Sequence, residues 1–146
     1  LSENADYTSN VLKETYPDGQ DVEIMTFKAL QGAWQKAELL SEREHVTPYI
    51  RKNPKLFRLR NLENLVNLGA KRWTLDCPQD YEFIKKVYEH IYAKNKFFGI
   101  SEILRLLDLH PEYENINQNI SRNEGYVKSL SLDKRRKNSA GRTKSA

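Results

Sequence analysis

The sequence predicts a mixed fold of the α/β or α+β kind, and three observations lead there. Short runs of alternating polar and apolar residues, such as DVEIMTF at 21–27 and LFRLRNLEN at 56–64, carry the two-residue period of strands. Longer runs, of which PQDYEFIKKVYEHIYAK at 78–94 is the clearest, carry the three-and-four spacing of amphipathic helices. The two kinds of run are mixed along the chain, as a sheet layered with helices requires. About four strand candidates appear, few for an independent sheet of this class.

Taken in order, DYTSNVL at 6–12 alternates weakly and leads to YPDGQ at 16–20, where Pro17, Asp18 and Gly19 make a strong turn signal. In DVEIMTF, Val22, Ile24 and Thr26 fall on one face of a strand, with Asp21 and Glu23 on the other. Phe27, Leu30, Ala33, Trp34 and Ala37 then recur at helical spacing, with Thr26 as N-cap. SEREHVTPYIRKNP at 41–54 offers Ser41 and Glu44 at capping-box spacing, and Pro48 makes any helix there short, kinked or split. Strand candidates follow at 56–64, where Leu56, Arg58 and Arg60 alternate with Phe57, Leu59 and Asn61, and at RWTLD, 72–76. The helix at 78–94 sets Tyr81, Ile84, Val87, Tyr88 and Ile91 on its apolar face. A second helix is expected in FFGISEILRLLDLHPEY, capped by Ser101, with Ile103, Leu104 and Leu107 inward and Pro111 past its end. NINQNISRNEGYVKSL at 115–130 is polar and reads as a last, loose helix.

The 146 residues suit one domain with its own core. No apolar run approaches the ~20 residues of a membrane span, and LSENADYTSN lacks the basic flank and apolar segment of a signal peptide. A single cysteine, Cys77, precludes an internal disulfide, so a reducing, cytoplasmic location is the default expectation. The chain starts at Leu1 rather than Met, which suggests a fragment of a longer protein. Its net charge of +4 raises the question of nucleic acid. Six of the 24 basic residues, however, lie in KRRKNSAGRTKSA, which holds no acid; without them residues 1–133 carry 18 basic against 20 acidic residues, a net of −2. That tail reads as disordered and solvated, so nucleic acid is not expected as a partner of the folded part.

Phosphate-loop, dinucleotide-binding and nucleophile-elbow motifs are absent, and Cys77 has no partner thiol for zinc. Three clusters remain. Asp76 stands beside Arg72 and Trp73 at the end of a strand candidate, where open α/β folds place ligands; a hard cation such as Mg²⁺ takes one or two carboxylates with phosphate oxygens. The same stretch also reads as a helix start, with Cys77, Pro78, Gln79 and Asp80 as N-cap to N3, and Asp76 could serve that start instead. Arg43, Glu44 and His45 join a cation, a carboxylate and an imidazole beside the Pro48 break, as a loop gripping an anionic ligand would; a solvated helix face with a cap accounts for them too. Asp21 and Glu23 follow the turn, either at a site or on a solvent-facing edge.

YPDGQDVEIMTFKALQGAW, SEREHVTPYIRKNP, NLENL and RWTLDCPQDYEFIKKVYEHIY, in this order and spacing, resemble the C-terminal half of the spore coat polysaccharide type of cytidylyltransferase, related to the acylneuraminate and 3-deoxy-manno-octulosonate cytidylyltransferases. The resemblance covers about residues 5–130. It implies α/β architecture: part of a Rossmann-like nucleotide-diphospho-sugar transferase fold, over residues 1–96, with a helical C-terminal extension at 97–133 and the basic tail at 134–146. It implies CTP and an acidic sugar as substrates, joined as a CMP-sugar with loss of pyrophosphate. It implies Mg²⁺ as cofactor, held by Asp76 at the place of the first Asp in D-x-P-x-D together with an aspartate of the N-terminal half. Asp21, Glu23, Arg43, Glu44, His45 and Arg72 become its substrate-binding residues, and a homodimer to which the Trp34 helix contributes is a further implication. The glycine-rich basic loop, base-reading segment and first metal aspartate of the family are not in this sequence, so the chain is expected to be incomplete alone. The alternative is a non-catalytic remnant or interaction module that keeps the sugar-side half.

Overall fold

A computed structural model describes residues 4–142, with side chains to residue 136. The chain forms two compact units. The first takes residues up to Lys13, Val22–Leu62 and the stretch from Asn123 onward; the second takes Glu14–Asp21 and Glu63–Arg122.

The first unit holds a three-stranded sheet, β1 (Tyr7–Ser9), β2 (Glu23–Met25) and β3 (Leu59–Asn61), in the order β2-β1-β3. β1 pairs antiparallel with β2, Tyr7 opposite Met25 and Ser9 opposite Glu23, and parallel with β3. Tyr7 and Ser9 are buried at a spacing of two, so their opposite numbers Met25 and Glu23 share that face. This inverts the face expected for β2: Val22 and Ile24 are exposed. Glu23 shares the Tyr7 face yet stays exposed, its carboxylate accepting from the Tyr7 hydroxyl at 2.5 Å and the Thr47 hydroxyl at 3.0 Å.

α1 (Phe27–Lys36) begins at Thr26, whose side chain accepts from Ala29 N–H as expected. Its buried residues are Ala29 and Ala33, which join Tyr7 and Ile50 in the core of this unit, with Met25, Tyr49, Phe57 and Leu59 against them. The expected helix between 41 and 54 is split into α2 (Leu40–His45) and α3 (Pro48–Lys52), with Pro48 in the first turn of α3. The N-cap of α2 is Leu39 rather than Ser41. Glu42 instead reaches back to the N–H groups of Leu39 and Glu38, at 3.3 and 3.4 Å. Val46, between the two helices, has φ 65° and ψ −57°, and Thr47 N–H donates to the His45 carbonyl at 2.7 Å: a γ-turn, strained for a β-branched residue. α6 (Glu124–Arg142) packs on α2. The basic segment from Lys134, expected as a disordered tail, is therefore helical through Arg142, and residues 143–146 lie outside the described residues.

The second unit is built on α4 (Pro78–Ile91), α5 (Ile100–Leu109) and a 3-10 helix (Pro111–Ile116). Trp73, Phe83, Val87, Ile91, Leu106 and Leu107 form its core, so α4 and α5 pack together across the expected boundary at residue 96. The buried stripe of α4 runs through Asp80, Phe83, Val87 and Ile91, while Tyr81 and Tyr88 face outward. α5 starts at Gly99, not Ser101, with the Glu102 carboxylate accepting from Gly99 N–H at 2.9 Å. RWTLD, expected as a strand, makes one isolated parallel bridge, Asp18 with Arg72, against the turn at 16–20. That turn has Pro17 O accepting from Gln20 N–H and Gly19 at φ 92°. It offers residues 72–76 too short an extended partner for a ladder, so Asp76 precedes α4 from a bend rather than from a strand end. No helix among the described residues is long and apolar enough to cross a membrane.

Candidate active site

In the second unit, Asp80 is fully buried and accepts five hydrogen bonds. Arg72 Nε and Nη2 grip it from one side at 2.9 and 2.8 Å, Asn117 Nδ2 donates at 2.9 Å, and the backbone N–H groups of Asp76 and Cys77 donate at 3.0 and 3.3 Å. Burial pushes its carboxyl up, but the bonds from Arg72, Asn117, Asp76 and Cys77 outweigh that and hold it well below the usual carboxylate range. The helix start is thus served by Asp80 at N3 with Pro78 at N1, as the local pattern predicts, and without the Asp76 carboxylate.

Arg72, expected to bind substrate, is instead a buried strut. Its side chain is 8% exposed, and its remaining Nη1 donates to Asp18 Oδ2 at 2.9 Å. Asp18 also stands 3.5 Å from Arg122 Nε, and Arg122 Nη2 holds Asp21 Oδ1 at 2.7 Å. A relay of ion pairs, Asp80–Arg72–Asp18–Arg122–Asp21, therefore runs through the unit, and it commits Asp21 to Arg122. Asp76 is different. Its side chain is 73% exposed, with the Arg72 guanidinium 3.7 Å away as its ion-pair partner, while its own N–H is fixed on Asp80. Of the carboxylates in this group it is the most exposed. No group of three or more His, Cys, Asp or Glu side chains among the described residues is arranged to hold a metal.

In the first unit, Arg43, Glu44 and His45 end α2. Arg43 Nη1 donates to the Trp34 carbonyl at 2.6 Å and lines a cavity of about 450 Å³ with Phe27, Leu30, Trp34 and Val46. Glu44 Oε2 accepts from the Ser129 hydroxyl at 2.6 Å, and His45 Nε2 lies 3.1 Å from that Ser129 Oγ. Thr47 ties Glu23 to the residues just after His45. The structure thus gathers Glu23, Arg43, Glu44 and His45 in the first unit, and Asp21, Arg72 and Asp76 in the second. Sequence reasoning missed Asn117, Arg122 and Ser129. All three lie in the polar stretch read as loose, and no local pattern marks a polar residue whose partner is 37, 101 or 85 positions away.

No protein-family model matches the chain. The uncharacterized protein MJ1063 of Methanocaldococcus jannaschii is 36% identical over 124 residues, which are 82% of this chain and 48% of that protein. The spore coat polysaccharide biosynthesis protein SpsF of Bacillus subtilis is 32% identical over 93 residues, 62% of this chain and 35% of that protein. The solved structure of a cytidylyltransferase from Leptospira borgpetersenii serovar Hardjo-bovis matches with a TM-score of 0.72 at 25% identity, covering 82% of this chain and 48% of the other. The chain spans about half the length, or less, of the proteins it matches. These likenesses support the cytidylyltransferase family: the chain is related in sequence to a polysaccharide biosynthesis protein and has the mixed α/β fold of a cytidylyltransferase over the part that it spans.

Proposed function

We propose that this chain is part of a nucleotidyltransferase that transfers CMP from CTP to an acidic sugar, in the synthesis of a polysaccharide or surface-glycan precursor, with the remainder of the enzyme supplying the other half of the nucleotide site. The observation that carries the reading is the exposed carboxylate of Asp76, anchored by its own backbone to a buried Asp80–Arg72 pair. Mg²⁺ shared with phosphates needs one or two protein carboxylates, and a single exposed, backbone-fixed aspartate fits that share. When bound, the metal neutralises triphosphate charge and orients the α-phosphate for in-line attack. Arg72 and Asp80 act from behind, fixing the start of α4 so that Asp76 is presented at one place. Glu23, Arg43, Glu44 and His45 would bind and orient the sugar. The names of the relatives, a polysaccharide biosynthesis protein and a cytidylyltransferase, support this reading, and it carries a cytoplasmic location with it, where CTP is available.

Calorimetric titration of CTP in the presence of Mg²⁺ tests it. Binding to this chain is expected to weaken at least roughly tenfold in Asp76→Asn, the lower end of what changes around a metal site cost. Equal affinity in the two proteins would remove Asp76 from the nucleotide site.

A second reading, a non-catalytic module that pairs with a second copy of itself, draws on one observation: Phe27 and Trp34 of α1 are 77% and 66% exposed beside the cavity that Arg43 lines. Sedimentation analysis of Trp34→Glu decides it. A dimer that becomes monomeric favours self-association through α1, and an unchanged sedimentation coefficient rules it out.

A further inference from the structure

Ser129 is 3% exposed on α6. Its hydroxyl oxygen has three neighbours: Glu44 Oε2 at 2.6 Å, the Gly125 carbonyl at 3.1 Å and His45 Nε2 at 3.1 Å. An ionised carboxylate and a carbonyl can only accept, and serine has one proton to give. The 2.6 Å separation puts that proton on the line to Glu44. Ser129 Oγ therefore meets His45 with a lone pair, and the hydrogen of that bond must come from Nε2. The neutral imidazole is then the Nε2–H tautomer, and Nδ1 keeps its lone pair. No hydrogen-bond partner stands at Nδ1 among the described residues, and the side chain is 29% exposed.

The ring is braced as well as hydrogen-bonded. Tyr126 meets it edge-on, with centroids 5.3 Å apart and planes at 85°, and the Arg51 guanidinium and Lys52 ammonium lie 6.0 and 5.7 Å from the Tyr126 centroid. The γ-turn at Val46 fixes the backbone of His45 from the other side.

We propose that Ser129, held by Glu44, is a positioning residue that fixes His45 as the Nε2–H tautomer and so presents Nδ1 as a hydrogen-bond acceptor to a hydroxyl of the sugar substrate. The tautomer follows from the geometry alone; the sugar hydroxyl rests on the function proposed above.

The test is a long-range ¹H–¹⁵N spectrum of histidine-labelled protein at a pH where the imidazole is neutral. With three histidines in the chain, His45 is assigned by its disappearance in His45→Gln. The ring proton of His45 is expected on Nε2, protected from exchange with water, and retained in Ser129→Thr. In Ser129→Ala, with folding checked by circular dichroism, that protected resonance is expected to be lost. A ring proton on Nδ1 in the unsubstituted chain overturns the proposal whether or not the variants fold, and so does a protected Nε2 proton in folded Ser129→Ala. Adding 3-deoxy-manno-octulosonate with CTP and Mg²⁺ reads the second part: the Nδ1 resonance is expected to move as it accepts a hydrogen bond. If other resonances report binding while Nδ1 stays still, the hydroxyl role falls. If none reports binding, the hydroxyl role falls for this sugar, and the ring proton still decides the role of Ser129.

Discussion

Two aspartates four positions apart, Asp76 and Asp80, carry the same charge into opposite surroundings, and substitution should separate them. Asp80→Asn leaves Arg72 buried without its bidentate partner, and a broken buried pair costs about 3–5 kcal/mol. Asp76→Asn changes an exposed side chain and should cost no more than about 0.5 kcal/mol. Urea unfolding of the two variants checks the contrast. Acid adds a second measurement. The folded-state value of Asp80 lies below its ordinary 3.8, so its contribution to stability is whole above that pH and is lost as the pH falls toward the folded value. Asp6, which its hydrogen bonds with Arg58 lower to about 2, declines in the same window. Urea midpoints followed from pH 6 to pH 2 should therefore fall, and fall less steeply in Asp80→Asn. Gly19 is the residue that the turn cannot exchange: at φ 92°, a Cβ would stand 2.6 Å from the Thr74 backbone nitrogen. Gly19→Ala should cost more than about 1 kcal/mol in the same assay.

Among the elements, those with a local start signal were legible and those defined by distant partners were not. Thr26 announces α1, and Pro78 with Asp80 announces α4, because a cap is chemistry between neighbours in sequence. Which face is buried was harder to read. On α1 the aromatic residues Phe27 and Trp34 face outward and the alanines Ala29 and Ala33 face in, since Tyr7 and Ile50 already fill the space that they approach. RWTLD has the composition of a strand, yet a strand needs a ladder partner, and the turn at 16–20 offers one bridge. The site was half legible for the same reason. The position of Asp76 just ahead of α4 could be read from Pro78, whereas the burial of Arg72 depends on Asp18, far off in sequence, and on Asp80 facing inward. The link between α2 and α3 offers a test at this scale. Val46 holds a positive φ that a β-branched residue adopts only under strain, so Val46→Gly, despite the extra freedom of glycine in the unfolded chain, should leave stability unchanged or raise it by up to about 1 kcal/mol. Thermal unfolding monitored at 222 nm would read it, and a fall of several degrees would mean that the γ-turn is relaxed.

At the scale of the whole chain, two cores with no residue in common hold the two units. Trp73 sits in the core of the second unit at 5% exposure, and Trp34, on the first, is largely exposed, so fluorescence can single one unit out. In a Trp34→Phe background, Phe83→Ala should cost the second unit about 3–5 kcal/mol, seen as an earlier loss of the Trp73 signal in urea. The division was not visible in the sequence, which pointed to boundaries near 96 and 133. Composition changes along a chain, but here each unit is assembled from separated stretches, and the first is completed only by α6. That return of the chain sets a schedule for synthesis. Glu44 leaves the ribosome 85 residues before Ser129, a delay of roughly 4–17 seconds at usual elongation rates. Throughout that interval the end of α2 must wait with its carboxylate and imidazole unclaimed, so the newborn chain passes through a stage in which the sheet of the first unit has all its strands and the pair at positions 44 and 45 has no anchor.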